Sequence, residues 1–394
     1  MLFSIALILL VGMFAGWLCG KVKLPNLLGM IVTGIILGPY VLNLVDDSIL
    51  RISADIRKIA LIIILTRAGL TLHLQDLKRV GRPAVLMCFV PAVFEILGMI
   101  FLAPKLLGIT VLEAAIMGAV VGAVSPAVIV PKMIRLIETG YGTNKGIPQL
   151  VLAGASVDDV FVIVLFTVFT GLAQGEKISY MSFLNIPASV FLGIFFGVLS
   201  GFCMAIFFEK VHIRDSAKVI ILLSVSFLLV TLEDCLTTPI TFSALVAIMF
   251  IGISLQKYRS AVAARLAVKF NKLWVGAEIL LFVLVGTTVD IRYALSAGMA
   301  AVILIAGVLL FRMAGVFCCL LATELSFKER LFCMAAYIPK ATVQAAIGGV
   351  PLAMGLGCGN IVLTVAVLAI LITAPLGAFL IDISYKKLLV QTKE

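Results

Sequence analysis

Gly154-Ala155-Ser156-Val157-Asp158-Asp159-Val160-Phe161-Val162-Ile163-Val164 is the stretch from which the rest of the chain is read. It lies in an apolar run from about Leu150 to Leu172, long enough to cross a membrane as a helix. A carboxylate near the centre of such a helix costs about 2.5–3.5 kcal/mol to insert. Membrane proteins therefore keep such groups where they face a protein-lined cavity. Two of them in a row point to a cation or proton site. The plainer reading is that packed partners neutralise both acids and the pair only ties helices together; one acid would suffice for that.

Composition supports the membrane. Of the 394 residues, 63% are hydrophobic and 13% charged, and the mean hydropathy is +1.24. A water-soluble fold cannot hide that much apolar surface. The runs are continuous, which excludes the alternating pattern of an outer-membrane barrel. The class is therefore an all-α polytopic membrane protein. The net charge of +10 fits the bias of Lys and Arg toward cytoplasmic loops better than it fits nucleic acid, and no nucleic-acid partner is expected. The eight cysteines form no CxxC pair or Cys/His cluster, and His73 and His212 are far apart in the chain. Neither a disulfide framework nor a bound cofactor is expected.

Thirteen spans can be drawn, at roughly 2–20, 25–45, 57–74, 82–104, 110–133, 149–172, 184–209, 217–234, 238–255, 273–289, 294–322, 331–354 and 360–384. The first lacks a basic n-region and a cleavage pattern, so it reads as a retained helix. With the N-terminus outside, most basic residues fall in cytoplasmic loops, among them Lys78, Arg79, Lys132, Arg135, Lys257, Arg259, Lys386 and Lys387. Arg51, Arg57, Lys58, Lys105, Lys177 and Arg292 fall outside. This asymmetry places the C-terminus in the cytoplasm, and the cell (inner) membrane is the location expected. Spans 1–6 begin outside and spans 8–13 begin inside, so two six-helix units would be inverted repeats, a recurring transporter architecture.

Two spans carry helix-breaking strings. Span 5 reads Gly122-Ala123-Val124-Ser125-Pro126-Ala127-Val128-Ile129-Val130-Pro131. Span 12 reads Tyr337-Ile338-Pro339-Lys340-Ala341-Thr342-Val343-Gln344. Each proline removes an amide donor and unseats a carbonyl. Unwound backbone is tolerated at membrane depth where it faces protein or water. An ordinary proline kink explains either alone. Two at repeat-equivalent positions predict crossed, interrupted helices at Pro126, Pro131 and Pro339, with Ser125, Thr342 and Gln344 satisfying freed backbone groups or lining a cavity.

Five ionisable residues lie inside spans near these strings: Glu95, Asp158, Asp159, Arg312 and Lys340. Glu95 and Arg312 occupy equivalent spans of the two units and are expected to form a structural ion pair. Lysine changes protonation readily when desolvated, so Lys340 is read either as the charge partner of Asp158 and a switchable proton site, or as compensation for helix ends at the crossing. Adjacent residues point about 100° apart on a helix, so the aspartates divide their labour. Asp159 is assigned as the primary cation ligand and Asp158 as its partner, with Ser156 and Ser125 as oxygen neighbours. Na⁺ at Asp159 and Asp158 is the metal expected.

At these residues the sequence resembles the cation/proton antiporter superfamily, most nearly the NHA branch of sodium/proton antiporters and its bacterial relatives. GAVSPAVIVP (122–131), GASVDD (154–159) and PKATVQAAIGG (339–349) carry the resemblance, and Glu95 and Arg312 fall where that branch has its inter-helix ion pair. It implies exchange of Na⁺ or Li⁺ for H⁺ at the aspartate pair. It also implies a homodimer in which a core slides against a dimerisation domain. On that pattern residues 1–76 and 184–293 belong to dimerisation and linking, and 77–183 and 294–394 to the core with its tail.

Competing readings are weaker. A K⁺-selective antiporter or channel-like cation transporter uses the same residue types. An intramembrane aspartyl protease needs two carboxylates converging from two helices, and adjacent aspartates do not converge. The expected partners are therefore small cations, protons and lipid, and no enzymatic activity is expected.

Overall fold

A bilayer offers no hydrogen bonds to the backbone, so a spanning segment must satisfy its own amides. The chain accordingly forms helices. The computed structural model describes residues 1–22, 24–71, 81–174, 180–236 and 242–392. Among these, seven helices are long and apolar enough to cross a membrane, and four shorter apolar helices of 10–17 residues accompany them. The one β-bridge among the described residues is isolated and antiparallel, between Tyr141 and Gln391.

Several apolar runs are not single helices. The run at 82–104 is two, Arg82–Met87 and Val90–Leu107. The second restarts with Pro91 in its first turn, where a missing N–H costs nothing. Arg57, counted toward the outer side, is buried inside the helix Ser53–Thr71 at 4% exposure.

The chain forms two compact units. One comprises Met1–Arg57, Asp76–Ala173 and Ile279–Glu394; the other comprises Lys58–Gln75 and Gln174–Glu278. In the second unit the helix Tyr180–Lys210 lies along Ala244–Tyr258. Gly193, Gly197 and Gly201 recur every fourth residue along this seam. A β-carbon at Gly193 would lie 2.6 Å from the Ser243 carbonyl, and one at Gly201 2.8 Å from the Ile251 carbonyl. Small residues at this spacing let membrane helices approach backbone to backbone.

The first unit contains both broken helices, and they begin alike. Thr110 and Glu113 form a reciprocal capping box at the start of Val111–Val121. Ser326 and Glu329 form another at the start of Phe327–Ala336. The first helix unwinds over residues 122–125 and restarts as Pro126–Glu138; the second unwinds over residues 337–341 and restarts as Thr342–Ile347. Pro126 occupies the first turn of the restarted helix, as its fixed φ favours. Pro131 corrects the sequence reading: it lies inside Pro126–Glu138 and interrupts nothing. The helix Gly359–Leu388 backs the second break. Gly377 has no β-carbon because the Pro339 ring occupies that space.

The end of Gly359–Leu388 and the residues after it are strapped to the turn that follows the first broken helix. Thr392 N–H donates to the Gly140 carbonyl at 2.9 Å and Gly142 N–H to the Val390 carbonyl at 2.8 Å. Gln391 Nε2 donates to the Thr139 carbonyl at 3.1 Å, Lys132 pairs with Asp382 at 2.6 Å, and Tyr141 meets Tyr385 edge to face at 4.9 Å. Gly140 has φ +74°, and a β-carbon there would strike the Thr392 carbonyl. Gly140→Ala is therefore expected to destabilise the first unit by at least about 1–2 kcal/mol, the cost of a left-handed L-residue. Deleting residues 389–394 is expected to lower the melting temperature as well. Melting in detergent that matches wild type for both variants would show that the strap contributes nothing.

Candidate functional site

Asp158 and Asp159 stand side by side on the helix Ile147–Ala173, yet their surroundings differ. Asp158 is fully buried. Its Oδ2 accepts from the Val124 backbone N–H at 2.9 Å and from Arg312 Nη2 at 2.8 Å. Asp159 is 7% exposed, its Oδ1 is buried without a partner, and among the described residues no Lys or Arg pairs with it. The roughly 100° between neighbours on a helix produces this division. The Asp158 side chain reaches the first break and the arginine, and Asp159 makes neither contact among the described residues.

Arg312, on the helix Ile291–Cys319, is the hub. Its Nη1 donates to Glu95 Oε2 at 2.7 Å and also to the Gly122 carbonyl in the first break. Its Nε donates to the Tyr337 carbonyl at the second break at 2.8 Å, and Nη2 serves Asp158. The guanidinium also lies 5.5 Å from the centre of the Tyr337 ring. Only a planar fork with several fixed donors can make these contacts at once.

Lys340 lies in the second break, fully buried. Its Nζ donates to Glu95 Oε2 at 2.5 Å, and its backbone N–H donates to Thr373 Oγ1 at 2.9 Å. The sequence reading paired it with Asp158. The structure corrects that pairing, because the arginine fork already covers Asp158 Oδ2 and Glu95 shares its oxygen between both cations. The Glu95–Arg312 contact is thus one link of a longer chain, Lys340–Glu95–Arg312–Asp158. Two cations and two carboxylates are paired within it, and Asp159 stands outside.

The remaining expected residues lie around the crossing. Ser125 N–H donates to the Pro339 carbonyl at 2.8 Å, joining the two breaks. Gln344 Nε2 donates to the carbonyls of Val121 at 3.1 Å and Ala123 at 2.9 Å, which the break leaves without helical donors. The hydroxyls of Ser125 and Thr342 are buried without partners, as are Gln344 Oε1 and Asp158 Oδ1. Each of these oxygens is free to accept from a water or to meet a hard cation. The Ser156 side chain lies outside the described residues. Sequence reasoning missed Tyr337, Gly154 and Thr373. Gly154 precedes Asp158 by one helical turn, but its contact with Tyr337 is not legible in the sequence.

Arg312→Gln leaves Asp158 without its cation and is expected to cost about 3–5 kcal/mol. Glu95→Gln keeps the shape but leaves two cations short of a carboxylate. The double variant Glu95→Gln/Arg312→Gln is expected to lose less than the sum of the single losses, by about 0.5–3 kcal/mol. Additive losses in thermal unfolding would show that the two residues do not interact.

Comparison with known proteins places this geometry. Residues 5–383 match the family model described as sodium/hydrogen exchanger, transmembrane. The chain is 32% identical to human sodium/hydrogen exchanger 9B2 over 413 aligned residues, covering 98% of this chain and 75% of that protein. It is 31% identical to human sodium/hydrogen exchanger 9B1, covering 93% and 73%. Its fold superposes on the sodium proton antiporter MjNhaP1 of Methanocaldococcus jannaschii with a TM-score of 0.86 at 20% identity, covering 98% and 97% of the two chains. A multi-pass helical chain with this coverage and these breaks belongs to the sodium/hydrogen exchanger family.

Proposed function

We propose that this protein is a secondary antiporter that exchanges Na⁺ or Li⁺ for H⁺, with Asp159 as the group for which the two compete. One observation carries the reading. Four ionisable side chains are paired at the two broken helices, with the two cations taken by Glu95 and Asp158, and Asp159 is next to them in the chain without a pair among the described residues. With all five charged, the cluster has an excess of one negative charge, and Asp159 bears it. A buried carboxylate without a cation is costly, and either a proton or a Na⁺ relieves the cost. Binding one excludes the other, so opposed flows are coupled without ATP.

The family membership and the sodium/hydrogen exchange named for its relatives support the same reading. Asp158 holds the first break and the arginine in place, and the unpartnered oxygens of Ser125 and Thr342, one beside each break, are candidates to complete a cation's shell. Ser156 is retained in that set as a proposal. Alternating access would come from movement of the core, residues 77–183 and 294–394, within a homodimer. The N-terminus would lie outside and the C-terminus in the cytoplasm.

Competition gives a definite pH dependence. Apparent Na⁺ affinity is expected to weaken steadily as pH falls, because protons occupy the carboxylate that Na⁺ needs. Asp159→Asn keeps the size but removes the charge and is expected to abolish Na⁺-driven proton flux in proteoliposomes while the protein stays folded. Full exchange by folded Asp159→Asn protein would place the cation site elsewhere. A response to K⁺ that equals or exceeds that to Na⁺ and Li⁺ would favour the K⁺-selective alternative.

Lys340 tests the stoichiometry. Moving one charge across the membrane is worth about 2.3 kcal/mol per 100 mV. If Lys340 carries a transported proton, Lys340→Gln is expected to reduce the charge moved per cycle and flatten the voltage dependence of exchange. Unchanged voltage dependence would confine Lys340 to holding Glu95.

A further inference from the structure

Gly154 occupies the face of the aspartate helix that Asp158 occupies one turn later. A β-carbon there would overlap the Tyr337 hydroxyl and would lie 2.9 Å from Met87 Cβ and 3.3 Å from Tyr337 Cζ. The absence of a side chain at residue 154 is what admits the tyrosine. Tyr337 is fully buried. Its carbonyl accepts from Arg312 Nε at 2.8 Å and its ring lies beneath the Arg312 guanidinium. One residue therefore meets the hub arginine through its backbone and ring, and the aspartate helix through its hydroxyl.

The hydroxyl is the telling part. It is buried without a partner, and such a group costs about 1–3 kcal/mol. Phenylalanine would supply the same ring without that cost. Asp158 Oδ1 is also buried without a partner. Side chains four apart on a helix have β-carbons about 5–6 Å apart, and the hydroxyl lies close enough to Gly154 that a β-carbon there would overlap it. A donor and an acceptor, both otherwise unsatisfied, thus face the same short interval, which one water can bridge.

We propose that Tyr337 is a positioning residue for Asp158. Its hydroxyl, seated over Gly154, holds the carboxylate oxygen that Val124 and Arg312 leave uncovered. Asp158 is then fixed on every side, which keeps it in the network and leaves exchange to Asp159. The assignment rests on the aspartate pair being the exchange site.

The test uses full-length Tyr337→Phe, Gly154→Ala and the double variant, with wild type and Asp159→Asn alongside. Na⁺-driven proton flux in proteoliposomes gives the KM for Na⁺ and the maximal rate, and thermal melting checks folding. Tyr337→Phe, which removes only the hydroxyl, is expected to raise KM about three- to tenfold, the worth of one hydrogen bond. Its maximal rate and melting are expected to stay near wild type. Gly154→Ala is expected to raise KM further, and Gly154→Ala/Tyr337→Phe to recover part of that loss because the overlapping oxygen is gone. A wild-type KM for Tyr337→Phe beside an inactive Asp159→Asn would overturn the assignment alone, whether or not Gly154→Ala folds. Full exchange by Asp159→Asn would remove the reading beneath it, and the assignment with it.

Discussion

A buried arginine that cannot shed its charge is the constraint around which the site is arranged. Arg312 is 1% exposed, and a guanidinium is effectively always protonated. Burying it requires carboxylates, and Glu95 and Asp158 supply them. The same side chain solves a second problem. Two helices unwind at membrane depth, and an unwound turn leaves carbonyls without donors, each expensive in a dry interior. Arg312 donates to one carbonyl at each break, Gly122 and Tyr337. Gln344 adds the carbonyls of Val121 and Ala123. A lysine at position 312 could neutralise a carboxylate but could not span both breaks, because its three donors radiate from one atom.

The arrangement makes two adjacent aspartates unlike. Asp158 is consumed by the network that holds the breaks together. Asp159 has no ion pair among the described residues, where Asp158 has Arg312. Glu95 stabilises the difference by accepting both Arg312 and Lys340 on a single oxygen, so neither cation is left to neutralise Asp159. An exchange site needs a charge that is costly enough to attract an ion and unpaired enough to release it. On the function proposed above, the neighbours of Asp159 suit that role and those of Asp158 suit holding the breaks.

Much of this was legible in the sequence because it depends on residue type and depth. Carboxylates inside apolar runs are rare, and proline with small residues marks unwound backbone, so the aspartates, both breaks and the Glu95–Arg312 contact could be read from position alone. What depends on distance could not. Lys340 was given to Asp158 because both lie near a break, but the nearer carboxylate comes from Glu95 on a third helix. Pro131 was read as a breaker because proline removes a donor, yet it lies in the second turn of a restarted helix, where the helix runs on through it. Arg57, at the start of the span 57–74, counts toward the outer side by its charge, and it is buried. The capping boxes at Thr110 and Ser326 were legible as T-x-x-E and S-x-x-E but went unread. The role of Gly154 needed the tyrosine above it, far away in the chain.

The two capping boxes also show where the internal symmetry ends. Each broken helix restarts sixteen residues after its cap, from Thr110 to Pro126 and from Ser326 to Thr342. In that register Val124 of the first break corresponds to Lys340 of the second. Both use the backbone N–H in the same way, donating to a polar side chain of the helix that follows. Val124 donates to Asp158 and Lys340 to Thr373. The scaffold is thus repeated at the level of caps, breaks and backbone bonds, while the charge is not. The first repeat has an apolar side chain in the break and a carboxylate on the following helix. The second has an ammonium in the break and a neutral hydroxyl. A symmetric pair of carboxylates would repel across the crossing, and a symmetric pair of lysines would leave no site for a cation. Dividing the charges between the repeats lets the backbone scaffold stay duplicated while the excess carboxylate falls on one side only, at Asp159.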